Sequence, residues 1–243
     1  VGFVILSRNR MLNFSFHSPY AGTALKFGVP LIPHELGSML IAQMDRLLIT
    51  NMVSIEDAGI YSVGLQMVSV IELLATSFNQ AFSPWLFKQL SDPAGVAKDR
   101  IVRYTYLYFV LILIFSMLFA LIMPYILHIF VGKDFRAAAR YTVWLALGFS
   151  FSGMYYMVAN YVVFASRTGL LASVTLTSGL ANILLCYFLI KRNGAIGAAQ
   201  ATAIAFFLSF ALTWFVSSRV YAMPWDPRKA FARHRDGNGG TAA

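Results

Sequence analysis

Six long apolar stretches follow one another along the chain, with short polar breaks between them: Thr23–Met52, Gly59–Leu86, Ile101–Met123, Tyr141–Ala165, Leu170–Ile190 and Ala195–Val220. Each is at least as long as the roughly 20 residues a helix needs to cross a bilayer core. No water is present there to satisfy backbone groups, so such stretches must be helices packed against one another. The predicted fold is all-α, a polytopic membrane bundle of six transmembrane helices over residues 23–221. Ahead of it, the apolar stub Val1–Leu6 runs straight into Ser7-Arg8-Asn9-Arg10 and lacks the core and cleavage site of a signal peptide. Residues 1–22 therefore read as the end of a preceding span plus a cytoplasmic linker, and the chain as part of something longer. Residues 222–243 are basic, then Gly-rich, and a disordered tail is expected after Pro224.

Composition agrees: 58% of residues are hydrophobic, 12% are charged and the mean hydropathy is +0.67, whereas soluble domains are about 25% charged. In a soluble protein the net charge of +9 would point to nucleic acid. Here the basic residues mark membrane loops, and no nucleic-acid partner is expected. Arg8, Arg10, Lys26, Lys88, Lys98, Arg100, Arg103, Arg167, Arg219, Arg228, Lys229, Arg233 and Arg235 fall on one side. The other side has Lys133, Arg136, Arg140, Lys191 and Arg192, while the hairpin Val53–Asp57 adds only the acids Glu56 and Asp57. The richer side is predicted to be cytoplasmic, with both chain ends on it. Pro124–Phe135 mixes Tyr125, Ile126, His128 and Lys133, and reads as a short amphipathic segment on the outer surface.

Polar side chains at bilayer depth cost several kcal/mol unless they meet one another or a wet cavity. In the first span His34, Glu35, Ser38, Asp45 and Arg46 share a face about 120° wide. Pro30 and Pro33 predict a kink in its cytoplasmic half. In the second, Ser62, Gln66, Ser69, Glu72, Thr76, Asn79, Gln80 and Ser83 line one face, and Pro84 should bend the helix. The fifth has Thr175, Ser178 and Asn182, and Asn160 stands alone in the fourth. Glu35, Asp45, Arg46, Gln66, Glu72, Asn79, Gln80 and Asn182 are the candidates for a substrate or ion pathway. Hydroxyls in membrane helices often bond the preceding turn or a neighbour instead. Arg46 could equally snorkel to the surface, and Asn182 could be interhelical glue. A mid-span carboxylate on so polar a face, Glu72, argues for a wet cavity.

No Ser/His/Asp set, HExxH or P-loop occurs, and His17, His34, His128 and His234 are scattered. The single cysteine, Cys186, permits no disulfide within the chain. Short loops leave no room for a catalytic domain, so neither an enzyme nor a cofactor is expected.

Several runs together resemble a known family: Phe27-Gly28-Val29-Pro30-Leu31-Ile32-Pro33-His34, Asp45-Arg46, Ala58-Gly59-Ile60-Tyr61-Ser62 and Phe78-Asn79-Gln80-Ala81-Phe82-Ser83-Pro84-Trp85. Asn182-Ile183-Leu184 and the small-residue run Gly194-Ala195-Ile196-Gly197-Ala198-Ala199 continue the likeness. It is to the polysaccharide flippases, exporters of O-antigen and capsule repeat units within the multidrug/oligosaccharidyl-lipid/polysaccharide superfamily. The resemblance implies two six-helix lobes around a central cavity, this chain being the second. It further implies an undecaprenyl-diphosphate-linked oligosaccharide as cargo, moved across the bacterial inner membrane by alternating access. The partners would be that lipid-linked cargo, membrane lipid and the first lobe, whose cationic cavity residues lie outside this sequence. A drug or cation exporter of the same superfamily, or a membrane glycosyltransferase or polymerase of the same pathway, are the alternatives.

Overall fold

The computed structural model describes residues 22, 25–26, 28–91, 98–130 and 132–226. The predicted stub and most of the predicted tail lie outside these residues. Among the described residues, six long helices follow in order: α1 (Leu31–Met52), α2 (Ile55–Ser91), α3 (Lys98–Phe130), α4 (Ala139–Phe164), α5 (Thr168–Asn193) and α6 (Ala195–Val220). Among the described residues there is no strand. Helices α2 to α6 are long and apolar enough to cross a membrane. At 22 residues α1 is about 33 Å long, but its Glu35, Asp45 and Arg46 dilute its apolar character.

The centre of the bundle is α4. It packs extensively on α6 and also meets α2 and α3, while α1 lies along α5 and α5 along α6. Small residues make the tightest crossings possible, because without a hydrophobic drive between helices, close backbone approach and dispersion must hold them together. Gly37 of α1 sits on the α5 backbone, where a Cβ would come within 2.5 Å of the Thr175 carbonyl carbon. Gly179 answers from α5, a Cβ there standing 2.8 Å from the Gly37 oxygen. Gly194, at φ 64°, turns α5 into α6.

The loops sort onto two ends of the bundle, as the alternation of spans requires. At one end Arg140 at the start of α4 bonds Asp57 at the start of α2, 2.7 Å away. At the other, Lys98 of α3 reaches the Ala222 carbonyl at 3.4 Å.

Two expectations are corrected, and one is located. Residues 124–130 are not a separate surface segment but the last turns of α3, with a 3-10 turn at Lys133–Ala138 following. A proline costs its own N–H bond, and here Met123 and Leu127, fully buried against Ala138, hold the helix on through Pro124. The predicted break in the first span is present at Pro30: residues 22, 25–26 and 28 are helical, with the Val29 N–H on the Leu25 carbonyl at 2.8 Å, and the helix stops there. Val29 and Pro30 form a turn and α1 begins after it, so Pro33 falls in the first turn, where its missing N–H has no intrahelical partner to lose. Finally, the chain just after Pro224 packs back onto the bundle: Trp225 lies against Tyr106, Tyr161 and Trp214, and its carbonyl accepts the Tyr106 hydroxyl at 2.6 Å.

Candidate functional site

The polar stripes of α1 and α2 meet a third on α4. Ser152, Tyr156 and Asn160 recur every fourth residue, which puts them on one face of that helix. Across from them, Glu72 Oε1 accepts the Tyr156 hydroxyl at 2.5 Å and the Ser152 hydroxyl at 3.3 Å. Two turns further on, Asn160 donates to the Asn79 carbonyl oxygen at 2.8 Å. The second Glu72 oxygen, Oε2, is buried without a hydrogen-bond partner.

A cavity of about 420 Å³ opens beside this carboxylate. Its walls come from α1 (His34, Glu35, Ser38 and Gln43), α2 (Glu72), α4 (Ser152, Tyr155, Tyr156), α5 (Thr175) and α6 (Phe206, Ser209). His34 Nδ1 lies 3.0 Å from the Thr175 hydroxyl, and its ring stacks on Tyr155 with centroids 6.3 Å apart. Glu35, Met39 and Gln43 are exposed, so the mouth is on the outer face of α1. A smaller cavity of about 160 Å³ adjoins it, sharing Gln43, Phe149 and Phe206 and adding Arg46, Gln66 and Ser69.

Asp45 is different in kind. It is fully buried at the seam of α1 and α2, accepts the hydroxyl of the equally buried Tyr61, and takes the Arg46 backbone N–H at 2.7 Å. Tyr61 in turn packs edge-on against Tyr141, whose hydroxyl accepts from Arg140. This series of contacts ties α1, α2 and α4 together at one end, which is the work of a structural bolt as much as of a pathway.

The eight candidates thus divide. Glu35 and Glu72 share the larger cavity, while Asp45, Arg46 and Gln66 line the smaller one. Asn79 is engaged with Asn160. Gln80 is exposed on α2. Asn182 is fully buried and donates to the Ile41 carbonyl of α1 at 3.3 Å, the geometry of an interhelical clamp. Tyr155, Tyr156, Ser152 and Ser209 were not singled out from the sequence. The α4 spacing of Ser152, Tyr156 and Asn160 was the available signal, hidden because tyrosines in an apolar helix read as core. Among the described residues, no group of three or more His, Cys, Asp or Glu could hold a metal ion.

Packed apolar helices around a polar cavity define a multi-pass membrane protein. The family model for "Polysaccharide biosynthesis protein" matches residues 1–90. A Haemophilus influenzae protein described as "Uncharacterized membrane protein" is 27% identical over 168 residues, 68% of this chain and 41% of its own length. "Lsg locus putative protein 1" of the same organism is 25% identical over 154 residues, 63% of this chain and 38% of its own. The chain therefore spans about two fifths of the length of these curated relatives. No solved structure matches. The resemblance carried by the sequence motifs is borne out: the chain is a multi-pass membrane protein whose residues 1–90 are similar to the polysaccharide biosynthesis family.

Proposed function

We propose that this chain is one lobe of a carrier that moves a polyprenyl-diphosphate-linked oligosaccharide repeat unit across the bacterial inner membrane. The observation that carries this reading is the polar cavity walled by α1, α2 and α4, with Glu72 held by α4 hydroxyls and one of its oxygens unpaired. Hydrogen-bonding groups on several helices at bilayer depth suit a hydrated, hydroxyl-rich load, whose polyprenyl tail can remain in lipid. The work is translocation without covalent chemistry, driven by switching access between the two faces. A second reading, export of an organic cation, is favoured by the two carboxylates among aromatic rings.

Sites built at the junction of two repeats need both halves. Residues 1–243 expressed alone in a strain lacking its repeat-unit exporter are therefore expected to leave surface polysaccharide absent. The chain joined to a six-helix first lobe should restore it, and lipid-linked repeat units should no longer accumulate. Failure of the two-lobed protein to restore polysaccharide in any tested pathway would count against the reading.

The excess of basic residues on one side orients the lobe with α2 starting at the periplasmic face. In a Cys186→Ala background, Ile55→Cys should react with an impermeant maleimide added from outside, and Lys98→Cys should not. The opposite pattern would invert the topology.

A further inference from the structure

We infer that the cavity beside Glu72 holds a single sugar unit of the cargo, and that Glu35 and Glu72 make it accept uncharged or ammonium-bearing sugars and reject acidic ones. This rests on the carrier reading and says what that carrier selects. The size comes first. About 420 Å³ lies near the lower end of the roughly 300–1,000 Å³ of small-molecule sites, which suits one unit of a glycan and not a whole repeat.

The walls fit that occupant. Tyr155, Tyr156 and Phe206 offer flat apolar surface to the C–H face of a ring. Glu72 Oε2 is an acceptor with no donor, and an ionised carboxylate can only accept. A sugar hydroxyl or an ammonium group is the donor it lacks. Ser38, Ser209 and Gln43 supply further groups around the same space.

The charge then decides specificity. Arg140 pairs with Asp57, whereas among the described residues no cation stands within ion-pair distance of Glu35 or Glu72. His34 is the one basic side chain on the cavity wall, and Arg46 lines the neighbouring cavity. A uronic acid placed here would bring a third carboxylate into a partly desolvated space, where like charges repel far more strongly than in water. Neutral and amino sugars meet no such barrier.

The test uses the chain in lipid nanodiscs and three probes: methyl glucoside, methyl glucosaminide with a free amine, and methyl glucuronide. Saturation-transfer NMR should show the first two binding and the glucuronide at least about tenfold weaker. Glu35→Gln together with Glu72→Gln should narrow that gap, methyl glucoside weakening as the charged acceptor is lost while glucuronide no longer meets like charge. Glu35→Gln alone, at an exposed position, carries the comparison if the double variant fails to fold, and the wild-type ranking needs no variant. Binding of none of the glycosides, equal binding of glucuronide, or binding of tetraethylammonium alone would overturn the inference. Restored polysaccharide export in the two-lobed protein without glycoside binding would sink this inference and leave the carrier reading standing. The expected glycoside ranking without export would do the reverse.

Discussion

Gly37→Leu is expected to remove most of the folded protein from the membrane, whereas Gly153→Ala should be tolerated. The two glycines differ in what surrounds them. A Cβ on Gly37 would stand 2.5 Å from the Thr175 carbonyl carbon, 2.6 Å from its oxygen and 2.7 Å from the Leu176 nitrogen. All three are backbone atoms inside α5, so relief requires the two helices to separate. Separation would break the Asn182 bond to the Ile41 carbonyl and pull His34 from Thr175. Overpacking costs about 1–3 kcal/mol even where neighbours can shift, and here they cannot shift without losing these bonds. Around Gly153 a Cβ would meet the tip of Ile112 at 2.4 Å, the Tyr108 hydroxyl at 2.9 Å and the Cβ of Ala75 at 3.0 Å, all of them side-chain atoms. The first two belong to side chains that can rotate. Membrane abundance and thermal stability in mild detergent measure both variants. Wild-type abundance of Gly37→Leu would mean that α1 and α5 do not cross as described.

The span boundaries were legible because the bilayer imposes a length and a composition that few other structures share. Ala195–Val220 agrees at both ends, and the other breaks fall within a few residues of the predicted ones, apart from the start of α1 and the extension of α2 and α3. Those two run on beyond their apolar windows because a helix may leave the hydrocarbon and still pair its own backbone groups. Pro124 looked like a boundary, yet it costs one hydrogen bond, and burial of Met123 and Leu127 offsets that. The candidate site was half legible. Polar residues recurring on α1 and α2 revealed two walls, since each is conspicuous against an apolar helix. The third wall was not, because Tyr156 is ambiguous: its ring belongs to a core and its hydroxyl to a site. Nor does periodicity say which polar face meets which. That Asn182 would clamp α1, and Asp45 find Tyr61, depends on helix pairing across distant parts of the chain.

Glu72→Gln in the two-lobed protein should leave membrane abundance near wild type and lower repeat-unit export by roughly tenfold or more. The amide keeps the shape and an oxygen that can accept from Tyr156 and Ser152, the two donors that hold Glu72 against α4. What it removes is the charge and the ability to exchange a proton. A hydrogen bond to a charged group contributes about 1.5–3 kcal/mol, and each 1.36 kcal/mol is about tenfold in rate. The loss follows if that charge meets the cargo through the unpaired oxygen. If proton exchange at Glu72 accompanies the switch in access, export by the variant should also depend less on pH than wild type does. Asn160→Ala is the companion, since it breaks the α2–α4 bond to Asn79 without touching the carboxylate. A loss of export shared equally by both variants would assign the effect to helix packing. Loss confined to Glu72→Gln, at unchanged abundance, would assign it to the charge. Export at the wild-type level, with the wild-type pH response, would reduce Glu72 to a link between α2 and α4.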